Sequence, residues 1–163
     1  MRHSLALAAL CMNGLAYAEE MPVSLDLAEG HVKVKPADAR FSQGEDGSLI
    51  ATFENSGLKT FRRIVVECDL EKPLEASAVI LRIDPGNAER FFLLAEDESG
   101  RHGEAVITSQ GEGVEEYVIA MDALKSKDGG FPAGSLTRLV IFVPMAVQEG
   151  EQTVRIESLK GNR

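Results

Sequence analysis

The run Leu136-Thr137-Arg138-Leu139-Val140-Ile141-Phe142-Val143-Pro144 is apolar at every position from Leu139 onward. A strand covered on both faces has this character, whereas a strand with one wet face alternates. The run therefore predicts a central strand. After the acidic stretch Gln148-Glu149-Gly150-Glu151-Gln152 comes Thr153-Val154-Arg155-Ile156-Glu157-Ser158-Leu159. Here Val154 and Ile156 share one face, and Thr153, Arg155 and Glu157 the other, which predicts a strand with one solvated side. A chain that ends on such a pair, with turn signals at short intervals before it, is expected to be a sandwich closed by its last strands.

The preceding sequence repeats the pattern. His31-Val32-Lys33-Val34-Lys35 alternates until Pro36, and Leu49-Ile50-Ala51-Thr52-Phe53 sets Leu49, Ala51 and Phe53 on one face. The Asp46-Gly47 pair before it suits a tight hairpin. Further strands are expected over Phe61 to Leu70, Ala78 to Ile83, Arg90 to Ala95, Glu104 to Thr108 and Glu116 to Met121. Asp84-Pro85-Gly86-Asn87 reads as a turn, since Pro fixes one torsion and Gly accepts the other, and it predicts a hairpin between its flanking strands. One helical turn fits Asp122 to Lys125. With eight or nine short strands and no long helix, the fold class is all-β, an antiparallel β-sandwich.

Residues 1–18 read as a cleaved signal peptide: Arg2 and His3 at the start, an apolar Ser4 to Leu15, and Ala16-Tyr17-Ala18 as the small-x-small cleavage site. Residues 19–30 form a leader or a first strand, and residues 31–163 the sandwich domain. The product is expected to be exported, periplasmic or extracellular, with no membrane insertion after cleavage. Cys11 leaves with the signal, so Cys68 remains alone; it shares a face with Ile64, Val66 and Leu70, which predicts a buried thiol. Acidic residues outnumber basic ones 26 to 17 and the formal charge is −9, the wrong balance for holding nucleic acid by its phosphates.

The order of elements from Tyr117-Val118-Ile119-Ala120-Met121 through a Gly-rich loop, Leu136 to Phe142, an acidic turn and Val154 to Leu159 resembles the C-terminal half of galactose-binding-like jelly rolls. These are the β-sandwich carbohydrate-binding modules, including those appended to agarases and related polysaccharide-degrading enzymes. The resemblance implies a non-catalytic module whose partner is a polysaccharide or glycan; an envelope protein is the alternative partner. It also implies a structural calcium, with Glu157 at the position where the family often carries Asp. Glu45 and Asp46 are the other candidate ligands, as turn carboxylates of the type that calcium uses.

Family members commonly hold sugar on Trp, and this chain has none. Its aromatic residues at strand positions, Phe53, Phe61 and Phe142, are expected in the core. Adjacent strand residues point to opposite faces, so one of Phe91 and Phe92 must face away from the core. Phe92 and Phe131, the latter in a Gly/Pro loop, are the candidate exposed rings, and Asp84, Asn87 and Arg90 the candidate polar ligand contacts. No G-x-S-x-G occurs, His31 begins a strand and His102 sits in a polar turn with Arg101, so both are expected to be solvated and no nucleophilic triad is expected.

Overall fold

The computed structural model describes residues 23–27, 32–35, 39–55, 63–111, 113–126, 129–131, 135–144 and 150–162. The signal segment 1–18, His31 and Phe61 lie outside these residues. Thirteen strands follow in order: β1 (Val23–Ser24), β2 (Val32–Lys35), β3 (Arg40–Gln43), β4 (Leu49–Asn55), β5 (Arg63–Glu75), β6 (Ala78–Asp84), β7 (Arg90–Asp97), β8 (His102–Thr108), β9 (Glu115–Ala120), β10 (Lys125–Ser126), β11 (Gly129–Gly130), β12 (Ser135–Pro144) and β13 (Gly150–Asn162). Among the described residues, a 3-10 turn at Met121–Ala123 overlaps the helical turn expected at Asp122 to Lys125 and ends two residues sooner.

The strands form two antiparallel sheets. One runs β3-β4-β13-β6-β9, with β1 added beside the end of β13; the other runs β11-β10-β8-β7-β12-β5-β2. The two closing strands are thus interior strands of opposite sheets. β12 lies between β5 and β7, and β13 between β4 and β6.

Each carries one register shift, in β12 between Leu136 and Arg138 and in β13 between Ile156 and Ser158. Simple alternation would turn Leu159 outward from the Val154 and Ile156 face. The extra residue of a bulge restores it to the core, and likewise lets Leu136 and Leu139 both face inward.

The inward rows form one core: Leu49 and Ala51 on β4, Ile64, Val66 and Cys68 on β5, Leu81 and Ile83 on β6, Phe91 and Leu93 on β7, Ile141 on β12 and Ile156 on β13. Phe91 meets Tyr117 of the opposite sheet edge-on, at 5.1 Å and 77° between ring planes. The Tyr117 hydroxyl donates to the Glu115 carboxylate, so a ring with a polar tip packs inside without leaving that tip unpaired. Burial pushes the Cys68 thiol up to about 12, so it stays protonated.

The turn after Asp84 does not make a hairpin. β6 and β7 belong to different sheets, so the segment 85–89 carries the chain from one layer to the other. Pro85 is buried, Gly86 adopts φ +63°, and the Asp84 carboxylate accepts the Gly86 N–H at 2.9 Å. A Cβ at Gly86 would lie 2.6 Å from the backbone oxygen of Thr153. Turn residues disclose a reversal, but not which layer the next strand joins.

Gly86→Ala is expected to lose more than about 1 kcal/mol of stability in urea unfolding, through backbone strain and this clash. Gly47→Ala, at φ +80° with open space around it, should lose less. Equal losses would mean that the Thr153 contact yields freely.

Candidate functional site

On β5, β7 and β12 the residues between the core positions point to the outer face of the seven-stranded sheet. Register places them in rows. Val65, Phe142, Phe92 and Val106 face one another across β5, β12, β7 and β8; Glu67, Val140, Leu94 and Glu104 form the next row; Asp69, Arg138, Glu96 and His102 the third. On the other side of the aromatic row, Arg63 stands opposite Pro144. The face is therefore apolar across one band and charged across another.

Phe142, Phe92, Leu94, Pro144, Arg63 and Glu104 line a hollow of about 250 Å³. Both rings are half-buried, and the Arg63 guanidinium lies over the Phe142 ring, 5.2 Å from its centroid, within cation–π range. Val106 is 58% exposed at the band's end. A second hollow, about 550 Å³, shares Glu104 and takes in His102, Val106 and Lys125. A third, about 640 Å³, lies at the β7 and β8 ends and is lined by Asn87, Arg90, Thr108, Ser109 and Gln110 among others.

The charged band is internally paired. Arg138 reaches Glu67 at 2.8 Å, Asp69 at 3.3 Å and Glu96 at 3.8 Å, while Lys35 meets Glu67 at 2.7 Å and Lys33 meets Asp69 at 2.8 Å. Glu67 is only 8% exposed. The hydrogen bond from Lys35 does most to hold its carboxyl below the ordinary range; burial opposes this and Arg138 adds to it. Asp69 is held low chiefly by Lys33, whose own pKa is raised by the same bond. Such a ladder spans β2, β5, β12 and β7, fixing the side chains beside the apolar band.

The candidate residues from the sequence separate in space. Phe92 faces outward as one wall of the first hollow, while Phe91 enters the core. Asn87 and Arg90 come together in the third hollow, but the Asp84 carboxylate turns back to the Gly86 N–H. Phe131, expected to present its ring, is 2% exposed. Its ring packs where Gly103 leaves room, since a Cβ there would lie 2.7 Å from the Phe131 Cβ.

Phe142 is the reverse case. It was expected in the core and instead is half-buried on the outer face. A continuous apolar run signals two faces out of water, but neighbouring side chains can shelter one face without a second layer. Among the described residues, no strand or helix covers this face. Arg63 and Glu104, the polar walls of the hollow, carry no local signal that separates them from other strand charges.

Two of the three candidate calcium ligands, Asp46 and Glu157, gather around the Arg155 guanidinium, while Glu45 is exposed in the same turn as Asp46. Asp46 accepts from the Ser48 hydroxyl at 2.6 Å, from the Ser48 N–H at 3.1 Å and from Arg155 at 2.6 Å. The Ser48 bonds chiefly, then Arg155, hold its pKa at about 2. Glu157 approaches Arg82 at 3.1 Å and Arg155 at 3.5 Å. Asp46 and Glu157 thus already share a cation, and this donor set does not fit a calcium ion, which takes six to eight oxygens. Among the described residues, no three His, Cys, Asp or Glu side chains come together as a metal site.

No known family profile matches this chain, and no curated protein does. Solved structures do. A variant of a family 29 carbohydrate-binding module superposes with TM-score 0.54 at 12% identity, over 86% of this chain and 89% of that one. A second family 29 variant, complexed with cellulohexaose, gives 0.53 at 12% identity, over 86% and 88%. An exo-β-agarase gives 0.57 at 15% identity over 85% of this chain, which spans only 24% of the enzyme. The fold is the jelly-roll β-sandwich of carbohydrate-binding modules.

Because Glu67 is held below its ordinary value of about 4.3, the folded state binds that proton less readily than the unfolded chain. Its contribution to stability is present above the unfolded value and lost as pH falls through the lower folded value. Glu67→Gln should therefore flatten the fall in urea midpoint with pH below about 5. An unchanged slope would show that the ladder does not govern acid stability.

Proposed function

We propose that this chain is an exported, non-catalytic glycan-binding module that holds a polysaccharide on the outer face of its seven-stranded sheet. The observation that carries this reading is the facing pair Phe142 and Phe92, half-buried in a hollow walled by Arg63 and Glu104. Sugar rings present C–H faces that stack on aromatic rings, and their hydroxyls need donors and acceptors at the rim. Phe rings supply the stacking surface here in place of Trp, with Arg63 as donor and Glu104 as acceptor. The second hollow, which shares Glu104 with the first, extends the surface in a way that suits a polymer better than a single small molecule.

Three further points support the reading. The chain matches nearly the whole length of a family 29 module, one form of which is complexed with cellulohexaose, but only a quarter of an agarase. A glycosidase needs two free carboxylates flanking the scissile bond, whereas Glu67, Asp69 and Glu96 on this face lie within ion-pair distance of Lys or Arg. Export rests on the signal pattern of residues 1–18, and among the described residues no helix is long and apolar enough to cross a membrane.

The test is thermal unfolding of the purified protein against a panel of soluble polysaccharides. A glycan present at one hundred times its dissociation constant should add about 2.7 kcal/mol. Phe92→Ala and Phe142→Ala should each abolish most of that gain while leaving the protein folded. A gain that survives both substitutions would place binding elsewhere, and no gain with any glycan would overturn the reading.

A further inference from the structure

In a chain with 26 acidic against 17 basic residues, a surface arginine has carboxylates to spare. Arg40, Arg82, Arg101, Arg138 and Arg155 each pair with at least one. Among the described residues, no carboxylate lies within ion-pair distance of Arg63 or Arg90. These two share a face and an end of the sheet. Arg63 is opposite Pro144 on β5 and β12, and Arg90 is the second residue before Phe92 on β7, on the outward side of Phe91. Both are exposed; Arg63 lines the aromatic hollow, and Arg90, two residues from Phe92 on the same face of β7, lines the neighbouring hollow at the strand ends.

We infer that the polysaccharide held on this face is anionic, carrying sulfate or carboxylate groups that Arg63 and Arg90 bind while its rings lie on Phe142 and Phe92. The inference rests on the glycan-binding reading above and adds the ligand's charge. A guanidinium presents paired donors that match the geometry of a carboxylate or sulfate. Stacking of Arg63 on Phe142 keeps its fork at the rim of the hollow, ordered before a ligand arrives.

The strands bearing the two arginines are separated by β12, so their backbones lie roughly 10 Å apart. That span exceeds one hexose ring, so the two cations can meet charges on different units of a chain. Glu104, across the hollow from Arg63, also has no cation within ion-pair distance among the described residues, and it suits a sugar hydroxyl. The polarity of the hollow is fixed accordingly: acid groups at the Pro144 end, hydroxyls at the Glu104 end.

The remaining charge makes this selective. A formal charge of −9 repels polyanions in general, but at physiological ionic strength that repulsion is screened beyond about 8 Å. Contacts at Arg63 and Arg90 lie within that distance, so a polyanion binds only where it reaches them.

The experiment is affinity electrophoresis and calorimetry of the purified protein at physiological ionic strength with four probes. Dextran and dextran sulfate share a backbone and differ in sulfate; methyl-esterified pectin and polygalacturonate differ in carboxylate. At least one charged form should bind more tightly than its neutral parent. Arg63→Gln and Arg90→Gln should each weaken that binding about tenfold, the cost of a lost charge-assisted pair, whereas Arg40→Gln on the other sheet leaves it unchanged. Which charged probe responds distinguishes sulfate from carboxylate.

Neutral probes bound as tightly as charged ones, with Phe92→Ala abolishing both, would overturn the inference and leave the glycan-binding reading standing. Charged probes indifferent to both arginine substitutions would also overturn it. Retention of none of the probes, with no thermal gain from the wider panel, would bring down both.

Discussion

Burial of the inward rows of β12 and β13 in a single core is the constraint from which the rest of the structure follows. Each is an interior strand of its own sheet, so each needs hydrogen-bonding neighbours on both edges and an apolar row on one side. Their bulges exist because Leu136 and Leu139, and Ile156 and Leu159, are three apart yet all must face inward. Once these rows are fixed, alternation on the paired strands decides which residues of β5 and β7 turn outward. Phe92 reaches the surface because Phe91 is required against Tyr117.

The outer face of the seven-stranded sheet divides its polar groups into two kinds. Lys33, Lys35, Arg138, Glu67, Asp69 and Glu96 pair with one another across four strands, which orders them and engages their charges. Among the described residues, Arg63 and Glu104 stand at opposite walls of the aromatic hollow without such partners. A surface whose charges were all exchanged internally would bind weakly and without direction. One whose charges were all free would be poorly ordered, since long side chains lose rotamer freedom when a ligand immobilises them. The ladder beside the hollow supplies order, and under the proposed function the rim would supply the contacts.

The opposite sheet shows the same chemistry put to structural use. Arg155 on β13 bridges Asp46 of the β3–β4 turn and Glu157 on its own strand, while the Ser48 bonds to Asp46 close that turn. In the β7–β8 hairpin, burial raises the Asp97 carboxyl, but the Arg101 side chain and the backbone N–H groups of Arg101 and Ser99 outweigh it and hold it low. Acidic turn residues that resemble ligand sites in sequence are here bound to the chain's own donors. Asx-type bonding to nearby N–H groups is what Asp commonly does in turns.

The positions of the longer strands, the buried faces of Leu49-Ala51-Phe53 and Ile64-Val66-Cys68, and the all-β class were legible in the sequence, because a period of two depends only on which residues avoid water; the short β3, β10 and β11 were not. The sequence also showed that one of Phe91 and Phe92 must leave the core. It misplaced Phe142 and Phe131, and it joined β6 to β7 as a hairpin. Local pattern reports burial without naming what covers a side chain, so the apolar run in β12 read as two covered faces; this holds at Val140, which is 4% exposed, but Phe142 and Pro144 line an open hollow. The Asp84-Pro85-Gly86 turn reported a reversal without telling that it crosses between layers. Which strand lies beside which, and therefore which aromatic residue meets which arginine, is set by pairings between residues far apart in the chain. Only the tertiary structure decides those.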